Sequence, residues 1–338
     1  YNKSKKGICR IFSFFSTVSD KTRHPQPRSR MQGLRRLSLA TLLRASLFAT
    51  CTTTATFAFS SPTPSKIRAI SLDVTGTLVA TREPVIQSYH AALLWAKLPD
   101  PPTPEEMKMA FKIAYKERCL ESPCFGGVEG ISGRDWWKGT VRRVLEHSGR
   151  SESYTDEQFD RYFRRVYQHF GSPKGYMVLE DAQSFLDELA DDAEKNSKPP
   201  LLLGITSNTP TRHMESVLPM LGIHDHFQWF SCAQEVGNEK PSAEIFEHAY
   251  QQAKFWMPDL QKEEVLHIGD SLACDFCGAK AFGFQALLLD RSDHPTVTAY
   301  QDWIQAPDYR GKSEDDIQEN TIKSLMEVLE KISYYSME

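Results

Sequence analysis

No stretch of this 338-residue sequence approaches the ~18–20 continuous apolar residues that a membrane-crossing helix requires. Its longest uncharged run in that style, Ala45 to Phe59 (ASLFATCTTTATFAF), starts only after Arg44 has interrupted the apolar pattern. No membrane span is expected. A disulfide framework is not expected either, because the seven cysteines are odd in number and scattered. Cys274 and Cys277 form one C-x-x-C pattern, but no second pair completes a zinc set. Two small residues sharing a helix face is the better account of them. Past residue 66 there is no internal repeat and no low-complexity tract. Acids are nearly missing from the front of the chain: residues 1–66 hold twelve Lys or Arg against Asp20 alone, while the remainder holds 28 basic and 43 acidic residues. The net charge of −4 conceals that asymmetry. An acidic body argues against a nucleic-acid duplex as the main partner.

What is present is ordinary globular composition, 40% hydrophobic and 25% charged. Such a chain can bury a core without disulfides or a structural metal, in one large domain or two of common size. The basic head reads as an address. From Met31, MQGLRRLSLATLLR is Arg-rich and amphipathic, and the uncharged run follows it. Positive charge, hydroxyl residues and few carboxylates are the chemistry of transit and signal sequences. Residues 56–62 (TFAFSSP) resemble the cleavage region of the two-part plastid presequences of algae with complex plastids. A mitochondrial presequence and a merely unstructured tail are the alternatives, the last implying a cytoplasmic protein. A start at Tyr1 suggests that the residues before Met31 are an extension of the reading frame. The expected organisation is a presequence over 1–65, a core from 66–82 and 175–338, and a helical insertion over 83–174.

The run from Ile67 to Leu72 interleaves apolar and polar residues and reads as a short strand ending at Asp73. The ninety-odd residues after it look helical throughout. Pro84 to Leu98 has helical spacing. Thr103-Pro104-Glu105-Glu106 is a capping box with proline at the first helical position, and Ser132 and Thr155 can cap two further helices. Gly126-Gly127 and Gly171-Ser172-Pro173 punctuate the region. After Gly175 the pattern alternates. A helix from Asp181 to Ala193 precedes the apolar strand LLLGITS, ending at Ser207. Helices over Arg212–Leu221, Ala243–Phe255 and Cys274–Ala281 then alternate with strands over Trp229–Cys232, Val265–Ile268 and Gln285–Leu289. Short buried strands between helices imply a parallel sheet covered on both faces. The expected fold is therefore α/β, a Rossmann-like parallel sheet with a helical cap inserted after the first strand. Such a sheet binds ligands beyond the carboxyl ends of its strands.

Four strand-end features carry chemistry. Asp73-Val74-Thr75-Gly76-Thr77-Leu78 offers a carboxylate able to attack phosphorus, with Gly76 permitting a tight turn. Its bland alternative is an Asp and a Gly that end a strand. Ile205-Thr206-Ser207-Asn208 places a hydroxyl where a phosphate oxygen could sit, or where a helix needs an N-cap. Lys240, before Pro241, can neutralise phosphate and nucleophile, although most lone lysines are solvated surface. Asp270 and Asp275, in GDSLACD, would repel Asp73 unless a hard cation lay among them. They could equally form a solvated acidic turn.

In order and in sheet position, the four features resemble the motifs of the haloacid dehalogenase superfamily over residues 67 to about 292. Within the insertion, FKIAYKERC followed by GISGRDWW is similar to the haloacid dehalogenase-like hydrolase domain-containing protein 3 family. The resemblance implies Asp73 as nucleophile and Mg²⁺ ligand, with the Thr75 carbonyl, Asp270 and Asp275 completing the metal set. It implies Ser207 and Lys240 as the groups that hold and activate the phosphoryl group, flanked by Thr77 and Asn208. The substrate would be a small phosphorylated metabolite. Trp136-Trp137 read first as cap packing; a substrate-facing indole is the sharper alternative.

One position departs from the pattern. Phosphatases of this kind carry a second aspartate two residues after the nucleophile, and position 75 is threonine, whose hydroxyl does no acid/base work near neutral pH. The superfamily's ion-pumping ATPases share that threonine and keep a long-lived phosphoaspartate. Three readings follow: a phosphatase favouring good leaving groups, a low-turnover phosphate-binding or regulatory protein, and a phosphonatase or dehalogenase relative. The last fits less well, because dehalogenases lack the acidic metal set and no cap lysine stands out as a Schiff-base former.

Overall fold

A computed structural model describes residues 66–150, 153–196, 201–292 and 314–334. The basic head, residues 1–65, lies outside the described residues, and with it the expected presequence. Eight strands are described: β1 (Ala69–Leu72), β2 (Val79–Thr81), β3 (Tyr176–Val178), β4 (Leu202–Ser207), β5 (Trp229–Cys232), β6 (Val265–Gly269), β7 (Gln285–Leu289) and β8 (Thr321–Ile322). Six form one sheet in the order β5-β4-β1-β6-β7-β8, every pair parallel. The chain runs from β1 outward to β4 and β5, then returns to lay β6 against the other side of β1. That reversal opens a crevice at the carboxyl ends of β4, β1 and β6.

Alternation along the strands sends side chains to two apolar layers. Ile70, Leu72, Ile205 and Ile268 face Phe185 and Leu186 of α5 (Glu180–Asn196) and Val217 and Leu218 at the start of α6 (Leu218–Leu221). Ala69, Val265 and Ala286 face Ile245, Phe246 and Ala249 of α8 (Ala243–Trp256), which follows the single-turn α7 (Ala233–Val236). Ala279 of α9 (Gly278–Phe282) joins this second layer. The described chain closes with α10 (Glu314–Glu319) and α11 (Met326–Tyr334). Both faces of the sheet are covered, as the unbroken burial of β1 requires.

Between β2 and β3 lie α1 (Val85–Trp95), α2 (Pro104–Glu121), α3 (Gly133–His147) and α4 (Asp156–His169). Their starts follow from sequence chemistry. Thr103 and Thr155 form reciprocal capping boxes with Glu106 and Gln158, and the Ser132 hydroxyl accepts from the Asp135 N–H. The insertion has its own core, which includes Phe111, Tyr115, Trp136, Phe159 and Tyr162. Trp136 is fully buried and donates Nε1–H to the Ser122 carbonyl at 2.7 Å, so it is packing. Trp137 is half-buried, and its ring lies 5.1–6.5 Å from Phe111, Tyr115, Phe125 and Trp136.

The expectation of an uninterrupted helical stretch after Asp73 is corrected by β2 and β3. These pair antiparallel, with Val79 opposite Val178, and close the base of the insertion. Three-residue strands are too short to show alternation. The helices expected at 212–221 and 274–281 begin instead as wider π-type turns, His213–Val217 and Leu272–Cys277. Cys274 and Cys277 are buried and form no disulfide with each other, in keeping with small packing residues.

Candidate active site

Asp73 is the first residue past β1, and its N–H donates to the Ile268 carbonyl of neighbouring β6. The chain then turns sharply through Gly76 at φ +90°, where a Cβ would lie 2.5 Å from an oxygen of Asp270. Any larger residue would therefore be both strained and in collision with that carboxylate. Arg291, just beyond β7, ties the turn down from below: its Nε donates to the Gly76 carbonyl (3.3 Å) and its Nη2 to the Thr77 carbonyl (3.0 Å). Asp181 of α5 holds the same guanidinium at 2.9 Å and also accepts from the Leu325 N–H.

Lys240 lies at the centre of the cluster, almost wholly buried. Its ammonium donates to Asp73 Oδ1 (2.7 Å), Asp275 Oδ1 (2.5 Å) and the Thr206 carbonyl (2.7 Å). All three of its hydrogens are thereby used. Asp275 also accepts from His267 Nε2 at 3.1 Å and from the Ser271 N–H at 2.9 Å. Because a carboxylate only accepts, the proton on Nε2 faces it. The other ring nitrogen lies 2.9 Å from the Ser71 hydroxyl, itself 2.7 Å from that of Thr206. A polar thread therefore runs beneath the site through Thr206, Ser71, His267 and Asp275 to Lys240. Burial pushes the His267 pKa down and keeps the ring neutral.

Asp73, Asp270 and Asp275 bring carboxylate oxygens within 4.8 Å of one another, and the Lys240 ammonium bridges Asp73 and Asp275. Burial pushes the Asp73 pKa up, Lys240 pulls it back, and Asp275 raises it again. Burial alone would raise Asp275 as well, but Lys240 and His267 outweigh it and hold that carboxyl well below the usual range. Burial alone would depress Lys240; the two carboxylates carry its pKa above the usual lysine value instead. Three carboxylates converging in this way offer the hard oxygen donors that suit a divalent cation such as Mg²⁺. Asp73 and Asp270 would hold it, while Asp275 is already anchored by three donors.

Three hydroxyls of the loops that follow β1 and β4, Thr77 Oγ1, Ser207 Oγ and Thr209 Oγ1, are buried without a hydrogen-bond partner among the described residues. Ser207 still lies close enough to Asp73 to pull its pKa slightly down, a loose contact rather than a formed bond. Unpaired buried hydroxyls are costly, and beside a cationic group they suit an anion's oxygens.

Of the residues expected at the site, Asp73, Ser207, Asn208, Lys240, Asp270 and Asp275 lie close to one another, and Thr75 and Thr77 lie in the turn that follows Asp73. Asn208 is the exception in role, since its amide engages the backbone of Lys240 (2.6 and 3.0 Å). Ser71, Thr206, His267 and Arg291 were not anticipated. Ser71 and His267 did carry a signal, being polar residues inside otherwise apolar strands.

A family profile described as haloacid dehalogenase-like hydrolase matches residues 67–283. The chain belongs to that family. Among haloacid dehalogenase-like hydrolases, it is similar to a mouse protein named Haloacid dehalogenase-like hydrolase domain-containing protein 3, with 29% identity over 71% of this chain and 88% of that one. The human protein of that name is 25% identical over 66% of this chain and 82% of its own length. The fold matches the crystal structure of a 2-haloacid dehalogenase from Pseudomonas syringae pv. Tomato, with TM-score 0.51 and 20% identity, covering 80% of this chain and 99% of that one. As a haloacid dehalogenase-like hydrolase, the chain has its α/β core and helical insertion where that fold has them.

Proposed function

We propose that this chain is a Mg²⁺-dependent phosphatase of a small phosphorylated metabolite, working through an aspartyl phosphate on Asp73. The observation that carries the reading is Lys240, whose buried ammonium bridges Asp73 and Asp275, with the Ser207 hydroxyl near Asp73. Asp73 is oriented for attack by its anchored N–H and by the lysine on Oδ1. As its other oxygen bonds to phosphorus, the negative charge of the phosphoryl oxygens meets the Ser207 and Thr77 hydroxyls and the positive field of Lys240. Bound Mg²⁺ would supply further neutralisation between nucleophile and phosphoryl group. The cap excludes bulk water from the acidic cluster and reads the leaving group.

Thr75 sets the limit. Its hydroxyl cannot protonate a leaving oxygen near neutral pH, so leaving groups stable as anions, in aryl and acyl phosphates, are favoured. The same residue supports a second reading, a slowly turning over phosphate-binding protein whose phosphoaspartate persists. In the first test, the full chain is assayed with p-nitrophenyl phosphate and Mg²⁺, beside Asp73→Asn. We expect hydrolysis by the wild type and a loss on the order of 10³-fold or more in the variant. Equal rates for the two would defeat the enzyme reading.

A further inference from the structure

Asn208 follows directly on Ser207 at the end of β4, and sequence pattern alone groups it with the phosphoryl-binding residues. Its hydrogen bonds say otherwise. Oδ1 accepts from the Lys240 N–H at 2.6 Å, and Nδ2 donates to the Lys240 carbonyl at 3.0 Å. A backbone N–H can only donate and a carbonyl can only accept, so the orientation of the amide is fixed by its partners. Cys274 Sγ lies 3.9 Å from the same Nδ2 and donates to the same Lys240 carbonyl at 3.2 Å, so amide and thiol meet on one oxygen. Both polar atoms of the Asn208 amide are thus engaged by the backbone of a single residue, Lys240.

We propose that Asn208 is a positioning residue, clamping the main chain of Lys240 so that its ammonium sits between Asp73, Asp275 and the Thr206 carbonyl. The clamp acts at the Cα end of a long, flexible side chain, while those three acceptors hold the other end. Lysine has four side-chain torsions, and its ammonium reaches Asp73 and Asp275 together from a narrow range of backbone positions. Misplacing a catalytic group by about 1 Å costs on the order of 10²-fold in rate. Asn208 is thus coupled to phosphoryl binding through Lys240. This inference rests on the reading of Lys240 as the group whose positive charge neutralises the phosphoryl oxygens.

The test is a double-substitution cycle in the full chain, with p-nitrophenyl phosphate and Mg²⁺. Asn208→Ala should lower kcat by on the order of 10²-fold. Asn208→Asp should be as impaired, because it sets an oxygen against the Lys240 carbonyl although its shape is conserved. Added to Lys240→Ala, the loss of Asn208 should cost no further factor. A further loss equal to that of the single substitution would make Asn208 an independent phosphate ligand and overturn the proposal.

A second readout is independent of turnover. Reductive methylation of Lys240, located by peptide mass spectrometry, should be slow in the wild type. It should quicken in Asn208→Ala and Asn208→Asp while their melting midpoints stay near the wild-type value. Unchanged methylation of Lys240 in folded variants would overturn the clamp. Absence of wild-type hydrolysis with faster methylation in the variants would instead fault the phosphatase reading and leave the clamp standing.

Discussion

At the scale of single residues, Thr75 decides what kind of hydrolase this is. On the proposed reading the attacking half has its parts: the Asp73 N–H is anchored on β6 and the Lys240 ammonium donates to its carboxylate. The half that protonates the leaving group and later activates water has no carboxyl at position 75. Thr75→Asp is therefore expected to raise kcat on alkyl phosphates by on the order of 10²-fold, with a smaller gain on p-nitrophenyl phosphate, whose leaving group needs no proton. Steady-state kinetics on both substrates check it, and no gain on alkyl phosphates would show that the missing acid is not what limits turnover.

The same scale shows what a sequence can and cannot disclose about a site. Asp73, Ser207, Lys240, Asp270 and Asp275 were legible because each ends a strand or opens a helix, positions that a parallel sheet turns toward its crevice. The roles of Asn208, His267 and Arg291 were not legible. Each is defined by partners between 8 and 215 positions away in the chain, to which residue spacing is blind.

At the scale of elements, local chemistry reads well where it is self-contained. The capping boxes at Thr103 and Thr155 satisfy orphan helix N–H groups from within four residues, so pattern and structure agree. The β2–β3 pair depends on two segments separated by the whole insertion, and neither segment declares itself alone.

Near that hinge, the turn opening at His213 has a measurable consequence. His213 is half-buried, its ring lies 5.3 Å from that of Tyr176, its buried Nδ1 has no partner among the described residues, and desolvation lowers its pKa to about 4. Arg212 beside it acts in the same direction. As pH falls below the unfolded value of 6.5, the unfolded chain takes up a proton that the folded chain refuses until about pH 4. The stability associated with neutral His213 is present above that window and lost within it, by roughly 3 kcal/mol in all. Urea unfolding near neutrality and near the lower end of the window should show this loss in the wild type and a smaller one in His213→Gln. Identical pH slopes for both proteins would contradict the account.

At the scale of the whole molecule, function depends on three strands and one insertion meeting. The strand order sets β1 between β4 and β6, so that Asp73, Ser207 and Asp270 share one edge although they are distant in the chain. The insertion contacts the core where Gly127 approaches the Gln234 backbone so closely that a Cβ would lie 1.9 Å from its carbonyl oxygen. It contacts the core again where the Arg212 guanidinium lies 3.5 Å from the centre of the Tyr167 ring. Sequence alternation disclosed the sheet and the helical insertion, but not these contacts, which depend on how the two packed bodies face each other.

The central claim is that this assembly makes Asp73 the nucleophile that takes the phosphoryl group from the substrate's leaving oxygen and carries it as an acyl phosphate. The most direct measurement incubates the full chain with acetyl phosphate and Mg²⁺, quenches in acid, reduces with borohydride and maps the product by peptide mass spectrometry. The account predicts conversion of position 73 to homoserine, absent without substrate. Substrate consumption with position 73 still aspartate would contradict it.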